Sequence, residues 1–385
     1  MGKLCLTLPP FSPDYSGVCS TMFSFDALTV IHDASGCTGN YTGYDEPRWF
    51  HSRSPIYCSG LRDIDAILGD DEKLIQKILY AMEDVKPEMI ALVGSPVPMV
   101  IGTDMEGIAA ELESRTGIMT FGFSTTGIGY YPKGVQMVYK KVVERILDED
   151  ISEPQKRENS VNILGATPID FGKSTTLEDM EAFLVENRVE INVSLWKNVK
   201  KAEIEKLKNA ACNVVVSQAG IELAEYLENK YQIPYITGLP FGEKYAKLWL
   251  EKLKKCIVEG KTEVMDFDIQ KDLPESKILI IGEQLQADAI RKAIWEDAHI
   301  NCDVAGICGW NPSFARENDR FLESEEEIER LINQENYELI VGDPLYKGLL
   351  RQEKKFYEYA HYAVSSKLGN GKCHSLIGKR VEIDG

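Results

Sequence analysis

Short apolar runs alternate with helically spaced stretches along this chain, and that alternation restricts the fold more than any other feature. Pro87-Glu88-Met89-Ile90-Ala91-Leu92-Val93-Gly94 reads as a buried strand ending in a turn. Just before it, residues 70–84 set Leu74, Ile75, Ile78, Leu79 and Met82 on one helical stripe. Residues 108–112 belong to a following helix and residues 120–123 to a further strand. Strand and helix in strict alternation predict a parallel sheet covered on both faces.

The rhythm breaks at a polar, proline-containing patch over residues 148–159 and then restarts. Strands are expected at 161–165, 190–195, 213–216 and 234–236, with helices from Thr176, from Lys200, over 221–231 and from Glu243. A second, acidic break covers 264–275. Beyond it come strands at 277–283, 302–307 and 338–342, with helices at 287–297 and 325–333. The expected architecture is α/β: three Rossmann-like, doubly wound units with parallel sheets, spanning residues 1–157, 158–273 and 274–385. None contains a full G-x-G-x-x-G or a Walker A sequence, so neither a dinucleotide nor ATP finds its usual phosphate loop.

Chemistry concentrates in the first sixty residues. Cys19 and Cys37 each sit in a run of small or turn-forming residues, Tyr15-Ser16-Gly17-Val18-Cys19-Ser20 and His32-Asp33-Ala34-Ser35-Gly36-Cys37-Thr38-Gly39-Asn40. A glycine before each thiol lets the backbone approach something bulky. The apolar stretch 23–31 between them is long enough for a short helix that would bring the second thiol back beside the first. Thiolates on glycine-rich turns suit an iron–sulfur cluster; two ordinary buried cysteines are the alternative. Residues 41–51 read as a long ordered loop, and Cys58 as the end of a strand. Cys5, Cys212, Cys256, Cys302, Cys308 and Cys373 read as core or surface thiols, and His32 as a hydrogen-bonding loop residue.

Composition narrows the partners. A net charge of -18 argues against nucleic acid, which requires concentrated Lys and Arg. No apolar run nears the roughly 18 residues needed to span a membrane, and the start of the chain lacks signal-peptide architecture. Nine scattered cysteines fit a reducing, cytoplasmic setting better than a disulfide framework.

Three such units behind an N-terminal segment with spaced cysteines resemble the nitrogenase component 1 superfamily. Further similarity lies in Leu61-Arg62-Asp63-Ile64-Asp65-Ala66-Ile67-Leu68-Gly69, which looks like the family's segment ending in a strand and glycine. It lies also in Val93-Gly94-Ser95-Pro96-Val97-Pro98-Met99-Val100-Ile101-Gly102-Thr103-Asp104, like the cluster-proximal loop and helix, and in residues 226–235 of the middle unit. The resemblance implies that Cys19 and Cys37 are the first two cluster-ligating cysteines. The third falls at Ser95 or Pro96 and is missing, with Cys58, Asp14 or Asp33 as substitutes. The cysteine that anchors the nitrogenase cofactor falls near Val216 or Ser217 and is also missing, which argues against dinitrogen reduction.

A [4Fe-4S] cluster takes four thiolates or their equivalents. Two per chain imply a cluster shared across a homodimer, or a heterodimer with a related subunit. The resemblance further implies a separate ATP-hydrolysing iron–sulfur reductase and a small-molecule or tetrapyrrole substrate. A scaffold for metallocofactor assembly, or a binding module without turnover, are the alternatives. Substrate would lie at the carboxyl ends of the strands, near the loops 124–127, 217–220 and 309–311.

Overall fold

In a computed structural model, residues 5–51, 54–264, 275–369 and 374–382 are described. Cys373 and most of the acidic break at 264–275 lie outside them.

Three separate sheets form, and every strand pairing in them is parallel. The first has the order β2-β1-β3-β4, from β1 (Leu28–Ile31), β2 (Ile56–Cys58), β3 (Met89–Val93) and β4 (Met119–Phe123). The second has the order β6-β5-β7-β8, from β5 (Ser160–Leu164), β6 (Glu190–Ser194), β7 (Cys212–Val215) and β8 (Tyr235–Thr237). The third has the order β11-β10-β9-β12-β13. Its strands are β9 (Ile278–Gly282), β10 (Cys302–Gly306), β11 (Arg320–Phe321), β12 (Leu339–Gly342) and β13 (Lys355–Glu358). The central strands β1, β3, β5, β7 and β12 are buried throughout, as expected when helices cover both faces of a parallel sheet.

Four helices position the first unit's loops: α1 (Asp14–Ser24), α2 (Asp63–Leu68), α3 (Pro96–Ile101) and α4 (Tyr131–Val138). All of α1 is buried. It packs against α4 so closely that no side chain fits at the crossing. A Cβ on Gly17 would lie 2.0 Å from the carbonyl oxygen of Tyr131, and one on Gly134 would lie 1.9 Å from that of Asp14.

Several expectations need correction. Residues 23–31 are not a helix: α1 begins nine residues before them and ends at Ser24, and Leu28–Ile31 is the strand β1. The β-branched Thr29, Val30 and Ile31 favour the extended chain once it lies between β2 and β3. Cys19 is therefore on a helix, not a turn, and Gly17 makes room for α4. The segment 61–69 carries the helix α2, closed by a left-handed Gly69, and not a strand. The loop expected at 41–51 opens with one π-helical turn, Tyr41–Asp45.

Candidate functional site

The carboxyl edge of the first sheet gathers the thiols. Register pairs Ile31 of β1 with Cys58 of β2 and with Val93 of β3, so the loops after all three strands leave from one level. Hydrogen bonds then join them. Ser95 Oγ donates to the His32 carbonyl at 2.9 Å, Ser59 Oγ lies 2.9 Å from His32 Nδ1, and the Asp33 N–H donates to Ser59 Oγ at 3.1 Å. Burial, then the charge of Lys77, holds the His32 imidazole below its usual range, so it serves as a neutral loop partner.

Cys37 opens a five-residue helix, Gly36–Asn40, and is half-buried. Its thiol lies close to the side chains of Tyr15, Ser95 and Asp33. Burial, followed by the charge of Asp33, pushes it up. Cys58, also half-buried, donates Sγ–H to the Asp33 carbonyl at 3.3 Å and accepts from the Gly60 N–H at 3.4 Å. Asp33 thus links Cys37 through its side chain and Cys58 through its backbone.

Cys19 is fully buried on α1, one turn after Tyr15, whose phenol reaches Cys37. Its thiol is pushed well up by burial and then by Glu46, Asp45 and Cys37. Those two acids form a wall behind it. Asp45 accepts from Ser12 Oγ at 3.0 Å, Ser16 Oγ at 2.6 Å and Asn40 Nδ2 at 2.8 Å, yet burial pushes its carboxyl up to about 6. Glu46 accepts from Tyr41 Oη at 2.9 Å, Ser20 Oγ at 3.0 Å and both Nε and Nη2 of Arg48 at 2.8 and 2.9 Å. Arg48 Nη1 also donates to the Trp196 carbonyl of the second unit at 3.2 Å.

Cys19 and Cys37 are thus brought together around Tyr15, with Ser95 beside Cys37 and Cys58 one strand away. As a donor set for a four-thiolate cluster, this fits one half. Among the described residues, no group of three or more His, Cys, Asp or Glu is arranged to hold a metal ion. Asp14 is not a spare ligand: its carboxylate accepts N–H bonds from Tyr15, Thr126 and Gly127 at 2.8, 3.0 and 2.8 Å. Those bonds tie the 124–127 loop to α1. That loop therefore belongs to the first unit's wall, apart from the other two predicted cleft loops, which do meet: Gln218 Nε2 donates to Gln284 Oε1 at 2.7 Å, and Gln284 Nε2 to the Asn311 carbonyl at 3.0 Å.

In the middle unit Val216 is buried and Ser217 Oγ donates to the Gly165 carbonyl at 2.6 Å. Cys212 and Cys256 are core thiols with Sγ atoms 3.3 Å apart, and Cys302 and Cys308 are likewise buried, while Cys5 is exposed. Two features escaped sequence reasoning. One is the acid wall of Asp45 and Glu46, whose only sequence sign is two acids beside aromatics. The other is a buried polar meeting point of all three units, built by Tyr131, Asp170, Glu283 and His361. These are 230 residues apart at the extreme, with no local pattern to connect them.

Three parallel α/β sheets, with Cys37 and Cys58 near the carboxyl edge of the first, define a three-unit doubly wound protein. The model of the nitrogenase component 1 type oxidoreductases matches residues 16–287, and the chain belongs to that family. Among curated proteins it is similar to one of the subunits of the light-independent protochlorophyllide reductase of Nostoc punctiforme, 21% identical over 282 residues, 65% of this chain and 54% of that protein. It is also similar to the nitrogenase iron-molybdenum cofactor biosynthesis protein NifE of Methanosarcina barkeri, 21% identical over 270 residues, 65% of this chain and 57% of that protein. The chain thus spans about half the length of the curated relatives it matches. The solved structure of nitrogenase Cp1 at pH 6.5 shares the fold, with a TM-score of 0.67 at 14% identity, covering 94% of this chain and 90% of that one. No helix among the described residues is long and apolar enough to cross a membrane.

Proposed function

We propose that this chain is one half of a nitrogenase-like iron–sulfur oxidoreductase. In this reading it accepts low-potential electrons from a separate ATP-hydrolysing reductase and passes them to a small-molecule or tetrapyrrole substrate. The observation that carries the reading is the pairing of Cys19 and Cys37 around Tyr15, with Ser95 beside Cys37. Two thiolates per chain make four across a two-fold axis, the number a [4Fe-4S] cluster takes. A bound cluster would supply one-electron redox chemistry.

The chain's own residues support that role in three ways. Cys19 and Cys37 would be the ligands, with Cys58 in reserve behind Asp33. The buried Asp45 and Glu46 oppose negative charge at Cys19, so an empty site keeps its thiols protonated, and metal binding must release those protons. Beside the thiols, α2 and α3 pack against each other and leave apolar side chains in solvent, among them Ile67 at 79% and Val100 at 77% exposure. An uncovered apolar face of this kind suits a second copy or a related subunit.

The scaffold reading draws on the similarity to a cofactor biosynthesis protein. Both readings need a cluster; only the first needs turnover. Anaerobic iron and acid-labile sulfide analysis, electron paramagnetic resonance and sizing of the loaded protein test the cluster. Four iron atoms per dimer are expected, and a cluster-loaded monomer would overturn the shared site. Turnover with an added ATP-dependent reductase then separates oxidoreductase from scaffold.

A further inference from the structure

We propose that Tyr15 is a positioning residue for the cluster: its O–H bonds to the Cys37 sulfur and raises the reduction potential of the metal held there, a role that rests on the iron–sulfur reading. Tyr15 lies on α1, one turn before Cys19, and is buried to 6% exposure. Its ring is wedged where α1, the 124–127 loop and the start of α3 meet. A Cβ on Gly127 would lie 3.6 Å from the Tyr15 ring and 2.8 Å from that of Pro96. The phenol fixed in that corner lies close to the thiol of Cys37.

The hydroxyl is aimed from the other side. Asn40 ends the short helix that carries Cys37, and its Nδ2 donates to Tyr15 Oη at 3.2 Å. Nδ2 also donates to Asp45 Oδ2, five residues on, at 2.8 Å. Side chains five apart diverge on an α-helix; the π-helical turn Tyr41–Asp45 brings these two onto one side. Asn40 thus gives one hydrogen to each partner, and the phenol, bonded as an acceptor, still has its own hydrogen to place. Asp45 is taken up by Ser12, Ser16 and Asn40. Among the described residues no oxygen accepts from Tyr15 Oη, so the nearby Cys37 sulfur is the acceptor that remains. An ordinary buried tyrosine needs one partner; it does not need a π turn that trains an amide on it from the helix of a thiol.

The sign of the effect follows from charge. Reduction adds an electron that is shared with the ligating sulfurs, and a donor pointed at one of them stabilises the reduced form more than the oxidised one. The bond from Asn40 polarises the phenol and makes it the stronger donor. Removing the hydroxyl should therefore make the cluster harder to reduce without removing a ligand.

The test is an anaerobic redox titration of the reconstituted full chain, followed by electron paramagnetic resonance, with iron counted in every sample. Tyr15→Phe keeps the ring and drops only the hydroxyl. It is expected to hold wild-type iron and to shift the ratio of oxidised to reduced cluster about tenfold, a midpoint lower by about 59 mV. Electron–nuclear double resonance after exchange into D2O should lose one exchangeable-hydrogen coupling in the variant. Replacing Tyr15 by 3-fluorotyrosine, whose more acidic O–H is the stronger donor, should move the midpoint the other way. Equal midpoints in wild type and Tyr15→Phe, with iron intact, would overturn the tuning and leave the cluster standing. Should Tyr15→Phe not fold or lose its iron, an unchanged midpoint in the fluorinated protein would overturn the tuning equally. Wild-type protein that takes up no iron would overturn the cluster itself, and the tuning with it.

Discussion

The carboxyl edge of the first sheet and the three-unit junction are made of the same parts and come out as opposites. Both are loops at the carboxyl ends of parallel strands, where doubly wound folds bind ligands. At the junction, Tyr131, Asp170, Glu283 and His361 meet across three units and are all buried. At the sheet edge, Cys37 and Cys58 remain half-exposed and the neighbouring helices α2 and α3 show apolar side chains to solvent. The junction is buried within one chain, although His361 Nδ1 finds no partner there among the described residues; the edge leaves thiols half-exposed and apolar surface in solvent. On the proposed reading, the exposed edge is where the cluster and a second subunit bind.

The largest effect should come from the edge's own ligands. Cys37→Ala, and separately Cys19→Ala, are expected to remove nearly all iron from anaerobically reconstituted protein, because each change takes two of four thiolates from a shared site. Cys58→Ala should leave most of it. Iron unchanged in either of the first two variants would rule out the ligand assignment. Iron lost equally in all three would move the site to Cys19, Cys37 and Cys58 within one chain.

Next in size are changes that break the wall behind the edge while leaving the thiols in place. Arg48→Met removes the partner of Glu46, whose side chain is fully buried, and should cost about 3–5 kcal/mol in urea unfolding. Gly17→Ala tests the crossing of α1 and α4. Alanine favours a helix over glycine by about 1 kcal/mol. The added Cβ would nonetheless meet the Tyr131 carbonyl at 2.0 Å, so a net loss of about 1–3 kcal/mol is expected. A stabilised Gly17→Ala would mean that the helices can move apart.

How far the two regions could be read in advance follows from how local they are. Strands such as β3 and β9 are continuous aliphatic runs, and their period and flanking turns are visible without the fold. Cys19 and Cys37 were legible as a pair because they lie 18 positions apart on either side of one apolar stretch. The kind of element around them was not. Residues 23–31 mix Phe, Ala and Leu with the β-branched Thr29, Val30 and Ile31, and only pairing with β2 and β3 decides for a strand over a helix. The junction was illegible for a stronger reason. Asp170, Glu283 and His361 look like surface residues in their own segments, and tertiary packing alone buries them together. Gly17 shows the remaining ambiguity: a glycine required by a close approach does not reveal what approaches it.

The smallest effect on the isolated chain should come from the uncovered helices, and it sharpens the contrast most. Ile67 on α2 and Val100 on α3 are among the most exposed apolar residues and make no part of the core. Replacing either by lysine should change unfolding free energy by no more than about 0.5 kcal/mol, as for ordinary surface substitutions. If this face covers a second copy of the chain, burying two extra ammonium groups across a two-fold axis is far more costly than that. Ile67→Lys combined with Val100→Lys should therefore give a monomer of nearly wild-type stability. That monomer should lose both dimer and bound iron. Light scattering alongside urea unfolding and iron analysis reads all three. A dimer that persists with full iron would place the shared edge elsewhere on the first unit. A chain that unfolds would show that α2 and α3 belong to its core.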